Sequence, residues 1–467
     1  MARSLDQLPP EILMTILDKM HISQLSTMIR VNRQFFTLGI PRLWQAQGGT
    51  YLAKVPKDRR GVYIPLIQEL DLSGFAKDVY EEFKDFVFHN VRKLSVSLEE
   101  DDEPIAYCSY LTHLINPGLQ LLGLGGDISP DFLFDVQTKC PKLRSVSIWR
   151  CGPCVTPTDL LTFLRGLPYL ESLRISMDHH AMTDSKVIEF LARSSTLEQL
   201  TLEQIYPELL WDALSVESPF PALRKLDIEI CQDALTSMAK LFGSVLHLRV
   251  EPMTTEYLDS REIEVRIRPL SELTQLRTLE IGFNGNSFYG NMTIVPEDIV
   301  SLRSLSNLTS LTLAGLRKPR PGDAEISDDD FHRLVSGLPD LETLSLHPLP
   351  SKVTPASLAA LAECCPRLES CFVGGGLHVL DLQDYKAPLF PRLGSFRVGR
   401  FLDQRLADRV EPIERRAQEH AQQLERHFPK ADIRVLQNGW FSTPSAFDSE
   451  VMRLLRPKNE RDFEPDS

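Results

Sequence analysis

One motif recurs thirteen times between Ile67 and Val398: a large apolar residue, two free positions, a second apolar residue, one free position, and a third. It reads Leu143-Val146-Ile148, Leu170-Leu173-Ile175, Leu197-Leu200-Leu202 and onward through Leu308-Leu311-Leu313 to Leu393-Phe396-Val398. Successive starts lie 22 to 33 residues apart. A period of this size constrains the fold more than composition does, because one unit is too short to enclose a core. The second and third apolar positions are two residues apart, so in an extended strand they point the same way. Between motifs the spacing turns helical, as in Leu160-Leu161-Thr162-Phe163-Leu164, and then ends in a turn at Gly166. Each strand-plus-helix unit leaves apolar flanks open, and only stacking on its neighbours covers them.

The pattern over roughly residues 60 to 400 resembles the leucine-rich-repeat family. The resemblance implies an α/β leucine-rich-repeat solenoid of about thirteen repeats, a horseshoe with strands on its inner surface and helices outside. It also bears on Cys151-Gly152-Pro153-Cys154, which invites a redox or zinc reading. A redox pair should open a helix after the first strand of a small α/β domain, and zinc needs two more ligands at matching spacing. Neither context is present. Cys151 falls three residues after Ile148, as Cys231 follows Ile228 and Asn284 follows Ile281, and this is the Asn/Cys position of the repeat. Cys140 and Cys365 open Cys-Pro-x-Leu segments, matching the cysteine-containing subclass. These thiols are read as structural, with no metal site and no cofactor.

Residues 5–47 do not follow the repeat. Pro9 and Pro10 stand where a helix start needs no amide donor, and Glu11 complements the positive end. Ile12, Leu13, Ile16, Leu17 and Met20 recur at three/four spacing; Leu25, Met28, Ile29 and Val31 mark a second helix, and Phe35 to Trp44 a third. Three helices in so short a segment make a small core, below the size that usually stands alone. Their apolar residues exceed what one buried face needs, which points to a partner surface; a helical cap over the first repeat is the alternative.

The segment resembles the F-box in its fungal form, through Leu8-Pro9-x-Glu11-Ile12-Leu13, Ile16, Leu25, Val31-Asn32-Arg33 and Pro41-x-Leu43-Trp44. Asn32 and Phe35-Phe36 replace the Cys and Trp that the family often carries near the end of the second helix. The resemblance implies binding to a Skp-type adaptor and through it a cullin–RING scaffold, with Leu8, Pro9, Glu11, Ile12, Leu13, Ile16, Leu17, Leu25, Val31, Leu43 and Trp44 as the adaptor-binding set.

The expected organisation is therefore the three-helix module at 1–48, a linker at 49–60, the solenoid at 61–400, a capping helix and strand at 401–437, and a polar tail at 438–467. The closing helix is expected over 411–428, from Ile413, Ala417, Ala421, Leu424 and Phe428, with a strand at 431–436 and a short helix around 449–455.

Residues 1–50 carry five Arg/Lys against three Asp/Glu, so the net charge of −13 leaves −15 on the remainder. Nucleic-acid binding needs clustered cations and is not expected. No apolar run is long enough to span a membrane, and no signal-peptide layout is read at the start. With irregularly spaced cysteines this places the chain in the cytoplasm or nucleus. No G-x-S-x-G, H-E-x-x-H or kinase motif set is present, so the chain is expected not to be an enzyme.

Residues interleaved with the core positions must face outward. Their last column reads Trp149, Ser176, Glu203, Glu229, Glu251, Gly282, with Asp227 and Glu280 in the adjacent column, and Arg174 and Arg249 diluting the sign. Like charges in register are costly unless answered. Trp149, Glu203, Asp227, Glu229, Glu251 and Glu280 are thus the candidate contacts for a basic segment of a protein target; a solvated acidic face is the alternative. Together these readings predict a non-catalytic substrate-recognition subunit of a ubiquitin ligase, its rival being a ligase-independent interaction scaffold.

Overall fold

The computed structural model describes residues 8–73, 83–97, 111–126, 128–151, 154–176, 184–253, 263–282, 292–314, 326–346, 353–403, 412–435 and 445–455. The acidic run 99–103, His179-His180, the side chain of Cys151 and Asn284 lie outside them. The chain forms two compact units, Met1–Glu203 with Trp211–Ala222, and Gln204–Leu210 with Leu223–Ser467.

The first unit opens with α1 (Pro10–Asp18), α2 (Ile22–Met28) and α3 (Arg33–Gln45). Parallel strands follow in chain order: β1 (Ala46–Gly48), β2 (Glu69–Leu72), β3 (Lys93–Ser97), β4 (Leu121–Gly126), β5 (Ser145–Cys151), β6 (Ser172–Ile175) and β7 (Gln199–Ile205), each paired with the next. Between them lie α4 (Gly49–Ala53), α5 (Lys57–Tyr63), α6 (Pro130–Lys139), α7 (Pro157–Arg165) and α8 (Ser185–Ala192). Residues 49–60, expected as a linker, thus hold α4 and the start of α5, joined by a turn at 54–56. β1 pairs with β2, so one further strand precedes the thirteen that the motif marks. It escaped the pattern because Ala46-Gln47-Gly48 carries no large apolar residue.

The second unit runs β8 (Lys225–Cys231), α9 (Leu235–Leu241), β9 (His247–Met253), β10 (Ile263–Val265), β11 (Thr278–Ile281), β12 (Met292–Ile294), α10 (Pro296–Ser301) and β13 (Ser310–Leu313). It continues through α11 (Asp328–Val335), β14 (Thr343–Leu346), α12 (Pro355–Cys364), β15 (Ser370–His378), β16 (Ser395–Leu402), α13 (Ile413–His427), β17 (Asp432–Val435) and α14 (Ala446–Leu455). Its parallel sheet has the order β8-β9-β11-β13-β14-β15-β16-β17, while β10 and β12 pair separately. Both units are leucine-rich-repeat arrays, and all thirteen predicted strands are in place.

The register follows from the motif. Leu279 pairs with Leu311, Leu311 with Leu344, Leu344 with Cys371, and Cys371 with Phe396, so like core positions stack. Every one of the motif's apolar residues is 5% exposed or less. Burial of a Leu or Ile side chain contributes about 1.5–3 kcal/mol, and the array repeats it at each turn. A carbonyl ladder sets the stagger: Arg144 O accepts from Glu171 N (2.8 Å) and Ser172 N (3.0 Å), and Arg277 O accepts likewise from Thr309 N (2.8 Å) and Ser310 N (3.1 Å).

The residue before Pro-x-Leu ties successive turns together. The Cys365 thiol donates to Leu338 O (3.4 Å) and approaches Val335 O (3.8 Å). In Asn116-Pro117-Gly118-Leu119 the amide does the same work, Asn116 Nδ2 donating to Phe88 O (3.0 Å) and Val91 O (2.8 Å). Burial pushes the Cys140 thiol up to about 11 and that of Cys365 up to about 12, so both remain protonated. Helix starts are capped as their sequences require: Thr156 and Asp159 form a capping box on α7, and Ser129, Ser327 and Thr354 cap α6, α11 and α12.

Candidate interaction surfaces

The three-helix module has its own small core. Leu13, Leu17, Leu25 and Phe35 are buried, with Leu8, Met20, Met28, Ile29, Leu38 and Leu43 packed against them. Gly39 lets α2 and α3 approach, since a Cβ there would lie 2.5 Å from Ile29 Cγ2. Asn32 Oδ1 accepts from Phe35 N at 2.8 Å, so the residue that departs from the F-box pattern is the N-cap of α3. Arg42 Nε lies 3.4 Å from Asp18 Oδ1, joining α3 to α1.

This core divides the predicted adaptor set. Leu13, Leu17 and Leu25 are 1–2% exposed and build the module, which corrects the expectation that they face a partner. Leu8, Ile16, Leu43 and Trp44 are half-buried, while Pro9, Glu11, Ile12 and Val31 are exposed. Trp44 stacks on Tyr63 of α5 with ring centroids 4.6 Å apart. Within the three-helix module the exposed large apolar residues are Ile12 (49%), Met14 (51%), Ile22 (55%), Val31 (61%) and Phe36 (47%). Met14, Ile22 and Phe36 were missed because α1 to α3 are apolar on more than one face, and helical spacing alone does not say which face turns inward.

The module is not separated from the repeats by a free segment. α3 leads directly into β1, and Gln68 N donates to Gln45 O at 2.9 Å.

On the first unit's sheet, Trp149 is half-buried and lies over β4. A Cβ on Gly123 would sit 2.9 Å from the indole, and one on Gly125 would overlap it. The glycines of Gly123-Leu124-Gly125-Gly126 therefore make a floor for the ring. Trp149 is thus packed down against β4 while part of its surface stays open. Glu203, also in the first unit, accepts a hydrogen bond from Ser176 Oγ and faces Arg174 Nη2 at 3.5 Å.

The remaining acidic candidates lie together in the second unit. Asp227, Arg249 and Glu280 occupy one registered column across β8, β9 and β11, with Glu229 beside Glu251 in the next. Arg249 reaches three carboxylates: Nη2 to Glu251 Oε1 at 2.5 Å, Nε to Glu280 Oε1 at 3.3 Å, and Nη1 to Asp227 Oδ2 at 3.6 Å. Sequence reasoning took Arg249 as a diluting charge, whereas it organises the cluster. The guanidinium carries five donors in a planar fork, so one side chain can answer several acids. Glu251 is 8% exposed as a result, while Asp227, Glu229 and Glu280 stay half-exposed.

Among the described residues no group of three or more His, Cys, Asp or Glu is placed to hold a metal ion, and no helix is long and apolar enough to cross a membrane. Cys154 is half-buried and forms no disulfide among the described residues. Asp328 to Asp330 form the first turn of α11, where Asp328 Oδ1 accepts from Thr354 Oγ1 (2.6 Å) and Ser357 Oγ (2.5 Å) of the next repeat.

No family model matches the sequence, and no curated protein matches it. Among solved structures, it is similar to an internalin (inlF) from Listeria monocytogenes, at 16% identity over 83% of this chain and 93% of that one, with a TM-score of 0.43. A chain of the yeast Rad7 and Elc1 complex is 16% identical over 78% of this chain and 88% of its own, TM-score 0.42. The leucine-rich-repeat protein LegL7 from Legionella pneumophila is 12% identical over 77% and 96%, TM-score 0.34. None of these likenesses carries a residue role to this chain.

Proposed function

We propose that the chain is a non-catalytic substrate receptor of an SCF-type ubiquitin ligase, working in the cytoplasm or nucleus. The N-terminal module is an F-box that docks a Skp-type adaptor and through it a cullin–RING scaffold. The repeats hold the target protein. The observation that carries this reading is the division of the module's apolar residues. Leu13, Leu17, Leu25 and Phe35 complete a core, yet Ile12, Val31 and Phe36 remain about half exposed or more. Exposed apolar side chains beyond the needs of a core are the signature of a docking surface. The solenoid reading of the rest supplies an extended sheet face of the kind that holds a partner.

Ile12→Asp with Val31→Asp leaves the buried core untouched and should strip adaptor and cullin from the purified complex. Affinity capture with quantification of both partners reads this out. A wild-type chain that captures no adaptor would overturn the ligase reading. That outcome would favour the second one, a ligase-independent scaffold whose three helices cap the repeats. The direct run of α3 into β1 and the Trp44–Tyr63 stack are the observations on its side.

A further inference from the structure

The outward face of the second unit's sheet changes character from strand to strand. At the β8–β11 end, Asp227, Glu229, Glu251 and Glu280 outnumber Arg249 and the exposed Lys225, leaving a net negative field. β13, β14 and β15 themselves hold no Asp, Glu, Lys or Arg; the exposed Glu342 and Glu369 lie just before Thr343 and Ser370. The column that opens each strand holds Thr278, Ser310, Thr343, Ser370 and Ser395 in unbroken register, all half-buried. The middle column adds Thr312 and Ser345, then the buried Phe372. At the far end Arg397 pairs in register with Arg434, and both are exposed. Asp432 holds Arg434 through Nη2 (2.7 Å) and Nε (2.8 Å), whereas Arg397 has no such partner among the described residues. The balance there is positive.

Randomly placed solvated charges would not sort by strand. A hydroxyl ladder offers donors and acceptors to an uncharged polar backbone, and opposite fields at its two ends define what lies across it. We propose that this face takes an extended segment of the target protein laid across the strands, with a basic block over Asp227, Glu251 and Glu280, an uncharged polar stretch over the hydroxyls, and an acidic block of Asp/Glu over Arg397 and Arg434. Four strand steps separate Glu280 from Arg397. At about 4.8 Å each, these span about 19 Å, the length of about six extended residues.

The inference rests on the repeats being the target-holding part of the molecule. Its test uses the full chain and a fluorescent synthetic peptide with a Lys block, about six Ser/Gly residues and a Glu block, read by anisotropy at low ionic strength. This peptide should bind at least about tenfold more tightly than peptides carrying only one of the blocks. Removing the spacer should erase the advantage. Arg397→Glu with Arg434→Glu should reduce affinity to that of the Lys-block peptide, and Arg397→Lys with Arg434→Lys should preserve it. A two-block peptide that binds no better than its halves, or one indifferent to Arg397→Glu with Arg434→Glu, overturns the inference. Adaptor captured without two-block preference leaves the ligase reading standing alone; the preference without adaptor capture leaves the surface standing and removes the ligase.

Discussion

His427 is a residue whose chemistry the fold has suppressed. It ends α13, is wholly buried, and neither ring nitrogen has a hydrogen-bond partner among the described residues. Its carbonyl accepts from Phe390 N at 3.0 Å, and the next residue, Phe428, stacks on Phe396 (4.5 Å) and Phe390 (5.3 Å). Burial, and secondarily the charge of Arg426, lowers its pKa below the ordinary imidazole value of 6.5. Above that value neither the folded nor the unfolded chain holds the proton, and the full stability is present. As pH falls below 6.5 the unfolded chain takes up a proton that the folded one refuses, so stability falls until the lower folded pKa is passed. His427→Phe should flatten this acid-side loss. Denaturation midpoints for both chains at neutral and mildly acidic pH check it, and equal slopes would remove His427 as the cause. Nothing in the sequence marked this histidine, because burial of a helix-terminal residue depends on what packs over it.

At the scale of elements, α14 is where the chain departs most from its sequence pattern. The tail from residue 438 was expected to be polar, with a short helix around 449–455 and no role. The short helix is present as Ala446–Leu455, starting three residues earlier, and it buries Phe447, Asp448 and Val451. Asp448 Oδ1 accepts from Phe401 N of β16 at 2.8 Å, and Oδ2 accepts from Ser445 N and Oγ. Phe447 lies 5.9 Å from the Arg416 guanidinium and edge-on to His420, over the buried Arg416–Asp403 ion pair (2.5 Å). A buried ion pair needs its surroundings satisfied, and α14 supplies part of them. Asp448→Ala leaves the β16 amide without its acceptor and should cost about 1–3 kcal/mol. Ending the chain at residue 444 should cost more and deprotect β16, β17 and α13 in hydrogen exchange. Unchanged protection would show α14 to be incidental. The capping helix and strand before it were legible, because Ala417, Ala421 and Leu424 repeat on one face. The buried polar set around Arg416 was not, since charged residues are read as solvent-facing until a partner is seen.

At the scale of the molecule, stability in a repeat array is a sum of unit and neighbour terms. Leu173 is 1% exposed on β6 and registered between Val146 and Leu200. Leu173→Ala should cost about 2–5 kcal/mol. Because each unit covers its neighbours, hydrogen exchange should rise in β5 and β7 along with β6. A rise confined to β6 would contradict stacking as the source of cohesion. The sequence by itself determined the thirteen strands, their core residues and their stacking order, because a short motif repeated at near-constant spacing admits one way to bury its flanks. It also determined the structural duty of Cys140 and Cys365. Only the tertiary structure decided which apolar residues of α1 to α3 are core and which are surface, that Trp149 lies flat on glycines, and that Arg249 gathers the acids. Each of those depends on which groups from distant segments meet, and local spacing carries no information about that encounter.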